Sequence, residues 1–162
     1  MLLGIWGIFQ IKKNEKILFD TKDKLDFHRK YSEKIHHLRD VNSWSKKNEY
    51  LFSIVSYDKD NLNTVLLQGD SWIESISKIP ESEKLLQEFS KKNKFNIYNA
   101  GIASFAPSVM HVQYKILKDE FNIKPNILII YIDQTDIGDE YCRYRHNKVY
   151  SSKDKLLYID RE

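Results

Sequence analysis

Three short polar segments of this chain each follow an apolar run, and their residue types could together carry out nucleophilic chemistry on an acyl group. The first is Gly69-Asp70-Ser71, directly after Val65-Leu66-Leu67. A serine at the carboxyl end of a strand and the amino end of a helix lies beside free backbone N–H groups, which can hold a developing oxyanion. The second segment is Asn99-Ala100-Gly101, after Phe95-Asn96-Ile97-Tyr98. A glycine there lets the backbone approach a bound group closely. The third is Asp133-Gln134-Thr135-Asp136, after the unbroken run Ile127 to Ile132. Taken alone, Ser71 could equally be a helix N-cap, since Asp and Ser are both favoured in that role. Asp70 reads as a turn-stabilising group rather than a catalytic one.

The elements that must position these segments are legible from Asn63 onward. Val65-Leu66-Leu67 reads as a strand core, and Trp72, Ile73, Ile76 and Ile79 recur at helical spacing up to Pro80. Glu81 to Lys92 is a second helical run with Leu85, Leu86 and Phe89 inside. Phe95 to Tyr98 is a second strand. Pro107 is placed as the first residue of a helix carrying Val109, Val112, Ile116, Leu117 and Phe121. Ile127 to Ile132, with no polar residue, fits a strand covered on both faces. The order strand, helix, strand, helix, strand predicts a parallel α/β layer structure whose ligand site lies beyond the carboxyl ends of the strands. Upstream, Phe27, Tyr31, Ile35 and Leu38 share one helical face, which predicts a helix from about Thr21 to Arg39. Tyr50 to Tyr57 fits a strand or a short helix.

Residues 62 to 140 resemble the SGNH hydrolases, also called the GDSL esterase/lipase superfamily. The resemblance implies a flavodoxin-like three-layer α/β/α sandwich with a parallel sheet, and ester hydrolysis or acyl transfer without a cofactor. It implies Ser71 as nucleophile and as one oxyanion donor through its N–H. Gly101 matches the second-block glycine, whose N–H donates to the same oxyanion. Asp70 and Asp136 fall in the site loops. Thr135 stands where the family has a side-chain amide donor. Its hydroxyl is shorter, and loss of one such donor typically costs ~10²–10³ in rate; Gln134 is a nearby alternative. The family's final Asp-x-x-His block has no match after residue 140, where His146 is the only histidine. A serine needs a base to act as a nucleophile near neutral pH. The chain therefore reads as the N-terminal, C-terminally truncated part of a longer protein.

Other reactive side chains carry weaker signals. His111 falls on the helix after Pro107 and reads as a packing or surface residue. His146 sits in Arg143-Tyr144-Arg145-His146, and nothing in its spacing demands a role. His28, His36 and His37 fall on the N-terminal helix, and the adjacent pair lacks the i, i+4 spacing of a metal site. Asp133, Asp136, Asp139 and Glu140 form an acidic loop without the glycine-punctuated spacing of a calcium site, so no metal is assigned. Arg143, Arg145 and Lys148 alternate with Tyr144 and Tyr150. They could meet an anionic glycan or form the exposed face of a strand. Cys142 is the only cysteine, so no intramolecular disulfide can form.

Length and composition set the frame. A chain of 162 residues, 41% hydrophobic and 30% charged, suits a single core. The net charge of +3 is spread in short runs such as Lys12-Lys13, Lys46-Lys47 and Lys91-Lys92, which reads as solvated surface and argues against a nucleic-acid partner. Met1 to Ile11 is almost wholly apolar and precedes its lysines. It is too short to span a membrane and has the wrong polarity for a secretory signal. It reads as the stub of a membrane anchor, a packed element or an interfacial segment. The expected division is 1–13 as the anchor stub, 14–61 as a helical or irregular region, and 62–162 as the SGNH-like α/β domain. The expected function is hydrolysis of an acyl ester of a small molecule, glycan or lipid of the cell envelope, with membrane association through the N-terminus. An O-acyltransferase or a catalytically inactive binding module of the same fold are the alternatives.

Overall fold

The structure is a computed structural model that describes residues 21–40 and 46–161. The expected anchor stub at 1–13 lies outside the described residues. Helix α1 covers 21–35 and buries Tyr31 and Ile35 on the face that the spacing predicts. It ends before Arg39 because His36 takes a left-handed φ of 67°. That backbone state breaks the helix and costs energy in a residue other than glycine. The His36 N–H then donates to Ile159 O at 3.2 Å, and residues 36–40 run on without helical structure. Lys30, Lys34 and Tyr31 of α1 all reach Glu120, Lys34 Nζ at 2.9 Å and the Tyr31 hydroxyl at 2.9 Å. Burial raises the Glu120 carboxyl pKa, but these three donors outweigh it and hold the group at about 2.

The segment Tyr50 to Tyr57 holds a strand over half its length. A 3-10 turn at Lys47–Tyr50 leads into β1 (Ser53–Ser56). Then follow β2 (Asn63–Gln68), α2 (Ser71–Ile76), α3 (Pro80–Asn93), β3 (Phe95–Asn99), α4 (Pro107–Glu120), β4 (Ile127–Ile130) and α5 (Gln134–Cys142). The strand order is β1-β3-β2-β4. β2 pairs parallel with β3 and with β4, as the alternation of strand and helix predicts. β1 pairs antiparallel with β3, so the sheet is mixed and not wholly parallel as expected. The link between β1 and β2 carries no helix, and a parallel return needs a crossover of a dozen or more residues.

Helices cover both faces of this sheet. Leu66 faces a core built with Val109, Val112 and Ile116 of α4 and with Tyr31 and Ile35 of α1. Its neighbours Val65 and Leu67 point the other way, with Ile73 of α2 and Leu86 of α3. α3 opens on Pro80 and closes on Lys94 in the left-handed conformation (φ 56°), with Glu81 and Glu83 in its first turn and Lys91 and Lys92 in its last, which suits the helix dipole. A second, two-stranded sheet of β5 (Lys148–Tyr150) and β6 (Leu156–Ile159) buries Ile159 in the α1–α4 core. The run Ile127 to Ile132 departs from expectation. Its residues are 39% to 48% exposed, because β4 is an edge strand that no described element covers.

Helix α2 meets the strand ends at glycines. A Cβ on Gly101 would stand 2.3 Å from the Glu74 backbone nitrogen and 2.6 Å from the Ile73 carbonyl carbon. Gly101→Ala should therefore destabilise the protein by about 1–3 kcal/mol by forcing α2 outward. Gly138→Ala, in the exposed interior of α5 with nothing within 4 Å of the new methyl, should stabilise it by up to about 1 kcal/mol. Urea denaturation of both variants checks this, and equal midpoints would refute the close contact.

Candidate active site

Strand β2 delivers Ser71 to the carboxyl edge of the sheet. Asp70 is the N-cap of α2, its Oδ1 accepting from the Trp72 N–H at 2.9 Å. Ser71 follows as the first helical residue and is exposed, its hydroxyl donating to Asp70 Oδ2 at 3.3 Å. At that position its N–H has no acceptor within the helix. The Trp72 ring is 64% exposed, so the expected burial at the start of this helix falls to Ile73 alone.

The other expected oxyanion donors are close by in the fold but already engaged. The Gly101 N–H donates to Asn99 Oδ1 at 2.8 Å. Asn99 is fully buried, and its Nδ2 donates to Ile73 O at 2.6 Å and Ser77 Oγ at 2.8 Å. One amide thus ties the end of β3 to α2. The Thr135 hydroxyl donates to Asp133 Oδ1 at 2.6 Å. Asp133 and Asp136 form a reciprocal capping box at the start of α5, and Gln134 is the first residue of that helix, exposed.

Ser71 lines a cavity of about 590 Å³ with His36, His37, Arg39, Glu74 and Arg143. Four of these were not singled out from sequence as members of a site with Ser71. His37 donates from Nε2 to the Ala103 carbonyl at 2.8 Å. Its Nδ1 is then an acceptor for the His36 Nδ1–H, 3.0 Å away. Edge contacts with Phe105 and Tyr144 hold the two rings. Burial lowers the His37 pKa, against the Ala103 carbonyl bond, which raises it. Burial thus favours the neutral ring, both of whose nitrogens are engaged. Glu74 is buried, with Oε2 accepting from the Ala103 N–H at 2.7 Å and Oε1 from Lys78 Nζ at 2.5 Å. Arg39 is 6% exposed and donates from Nη2 to Asn99 O at 3.2 Å and Gly101 O at 2.6 Å.

The remaining sequence candidates are dispersed. His111 is exposed on α4, His146 lies in an exposed turn, and His28 packs edge-on to Tyr50. Cys142 is exposed at the end of α5. Arg143 is at the C-cap of α5 and not on a strand, 3.6 Å from Asp139. Tyr144 does not alternate outward with the basic residues. It is fully buried, and its hydroxyl donates to Ser104 O at 2.6 Å. Glu140 is tied to Ser108 at the start of α4 and to Lys148. Burial raises its pKa, but these partners more than offset that and hold it below the usual carboxylate range. The acidic group that does converge is Asp70, Asp133 and Asp136, with one oxygen of each within 4.8 Å of the others. All three already act as helix caps or as part of the capping box. The Thr135 hydroxyl, with the backbone N–H groups of Thr135 and Asp136, holds Asp133 below its ordinary value. Asp136 is 1% exposed, and burial, together with the charges of Asp70, Asp133 and Asp139, pushes it up to about 6.

Comparison with protein-family models, with curated proteins and with solved structures finds no match to this chain.

The raised Asp136 pKa has a signed consequence. The folded state holds this proton more tightly than the unfolded chain, whose value is near 3.8. The favourable contribution is complete below that value and is lost as pH rises through about 6. Asp136→Asn keeps an acceptor for the Asp133 N–H but removes the charge. It should be more stable than the parent at pH 7.5, by on the order of 1 kcal/mol after allowance for solvent screening. The difference should vanish near pH ~4. Denaturation midpoints across that range check it, and a gap independent of pH would refute it.

Proposed function

We propose that this chain carries the nucleophile of a serine ester hydrolase of the SGNH type, on a flavodoxin-like α/β/α scaffold. The observation that carries the reading is Ser71, exposed between the end of a central parallel strand and the start of a helix, and opening into a cavity shared with two histidines. In this reading Ser71 Oγ bonds to the acyl carbon and its proton passes to a base. The ester C–O bond breaks as the alcohol leaves with a proton, and water then releases the acid. The Ser71 N–H is the first oxyanion donor. The Gly101 N–H and the Thr135 hydroxyl join it only if they exchange Asn99 and Asp133 for the substrate. His36 and His37 are the described imidazoles that share the cavity, and His37 serves as base only if its Nδ1 exchanges His36 for the Ser71 proton. The substrate class is an acyl ester of a small molecule, glycan or lipid. Transfer of the acyl group to a second alcohol in place of water would make the same site an O-acyltransferase.

A second reading is favoured by the engaged donors. With the Gly101 N–H on Asn99 and the Thr135 hydroxyl on Asp133, the same pocket suits a module that binds a ligand and performs no chemistry.

A fluorophosphonate probe and a short-chain aryl ester separate the two. The hydrolase reading expects Ser71 to be labelled and the ester to be turned over, with a fall of roughly 10³-fold or more in Ser71→Ala. Absence of labelling, with equal ester turnover in parent and variant, leaves the binding module.

A further inference from the structure

Arg39 stands apart from the other charges around the cavity. Lys78 pairs with Glu74 at 2.5 Å, and Arg143 lies 3.6 Å from Asp139. Asp40 also lines the cavity but is exposed to water, which compensates its charge. Arg39 as a residue is 6% exposed, yet among the described residues no carboxylate lies within ion-pair distance of it. Its Nη2 meets two carbonyl oxygens, and its Nε–H is buried with no acceptor at all. A buried cation met only by backbone dipoles is an uncompensated charge, which proteins seldom keep without a partner. Burial also pulls its pKa below the ordinary arginine value, against the distant carboxylates of Glu74 and Glu49. The cavity that it lines is the place from which a negative charge can reach it.

We propose that the cavity takes an oxyanion borne by its ligand, a carboxylate or a phosphate, with Arg39 as the buried countercharge. A planar guanidinium suits such groups better than an ammonium, because its fork of N–H donors matches their oxygens. The rim adds a second guanidinium, that of Arg143. For the substrate this means an ester that also carries a negative group, placed on the Arg39 side of Ser71. That last step rests on the hydrolase reading, whereas oxyanion binding itself does not.

The test uses acetate, inorganic phosphate and neutral acetamide as separate probes of the chain, followed by ¹H–¹⁵N spectra. The reporters are the Arg39 Nε–H and the Ser71 and Ala103 amides. Saturable shifts with acetate or phosphate, and none with acetamide, are the expected result. The tighter of the two ions names the chemical form of the ligand group. Arg39→Gln should weaken that ion at least tenfold, and Arg39→Lys should recover part of the loss. Should both variants fail to fold, the comparison of acetate with acetamide on the parent chain decides alone. Shifts that grow linearly without saturation, or that acetamide reproduces, overturn the proposal. In the parent chain, absence of probe labelling with saturable ion binding overturns only the hydrolase reading, and labelling without ion binding overturns only this one.

Discussion

Helix α2 touches the strand ends backbone to backbone, and the rim of the cavity takes its position from that contact. Gly69 and Gly101 lie where a methyl would collide with Ile73 or with the α2 backbone. Asn99 then closes the remaining distance by hydrogen bonds to both sides. The same short stretch, 99–103, is gripped from a second direction. Glu74 takes the Ala103 N–H, His37 donates to the Ala103 carbonyl, and Arg39 donates to the carbonyls of Asn99 and Gly101. Ser71 is therefore placed by a backbone segment whose polar groups are held by side chains from α2, β3 and the stretch after α1.

Polar burial in this protein is divided by chemistry. Beneath the sheet, neutral amides carry it: Gln68 donates to Met110 O and to Gln113, and Gln113 donates onward to Leu51 O and Ala100 O, with both side chains buried. An amide offers donors and acceptors without the desolvation cost of a charge. At the strand ends, carboxylates serve helix starts: buried Asp70 at α2, and the partly exposed Asp133 at α5 and Glu140 at α4. Capping and the helix dipole offset the cost there. Arg39 follows neither pattern, which is why it draws notice.

What could be read from the sequence follows from what is local. The βαβ elements from Asn63 to Ile130 were legible because strand runs, helical spacing and prolines all act over a few residues, whereas helix α5 was not, its residues reading as an acidic loop. Pro80 and Pro107 each open a helix. The antiparallel β1 was not legible, since strand direction depends on which neighbour it reaches. The exposure of Ile127 to Ile132 was not legible either: an apolar run reports preference for burial, and position in the sheet decides whether burial is available. Ser71, Gly101 and Thr135 could be singled out because their segments end strands, and of the three Ser71 alone lines the cavity. Glu74 had no signal beyond its place in the first turn after Ser71. His36, His37 and Arg39 reach the cavity only because His36 breaks the helix with a left-handed turn, which no spacing rule foretells in a histidine.

The docking of α1 decides more than the packing of one helix. Its polar anchor is the convergence of Lys30, Lys34 and Tyr31 on Glu120, a set of contacts between residues nearly ninety positions apart in sequence. Such distant contacts form after local ones, since the loop they close costs entropy first. Segments held this way also open at lower free energy than the strands beneath them. When α1 lifts, His36, His37 and Arg39 leave together, while β2, β3 and α2 keep Ser71 in place. The His36–Arg39 side of the cavity and the serine are thus tied to the sheet by different segments of the chain.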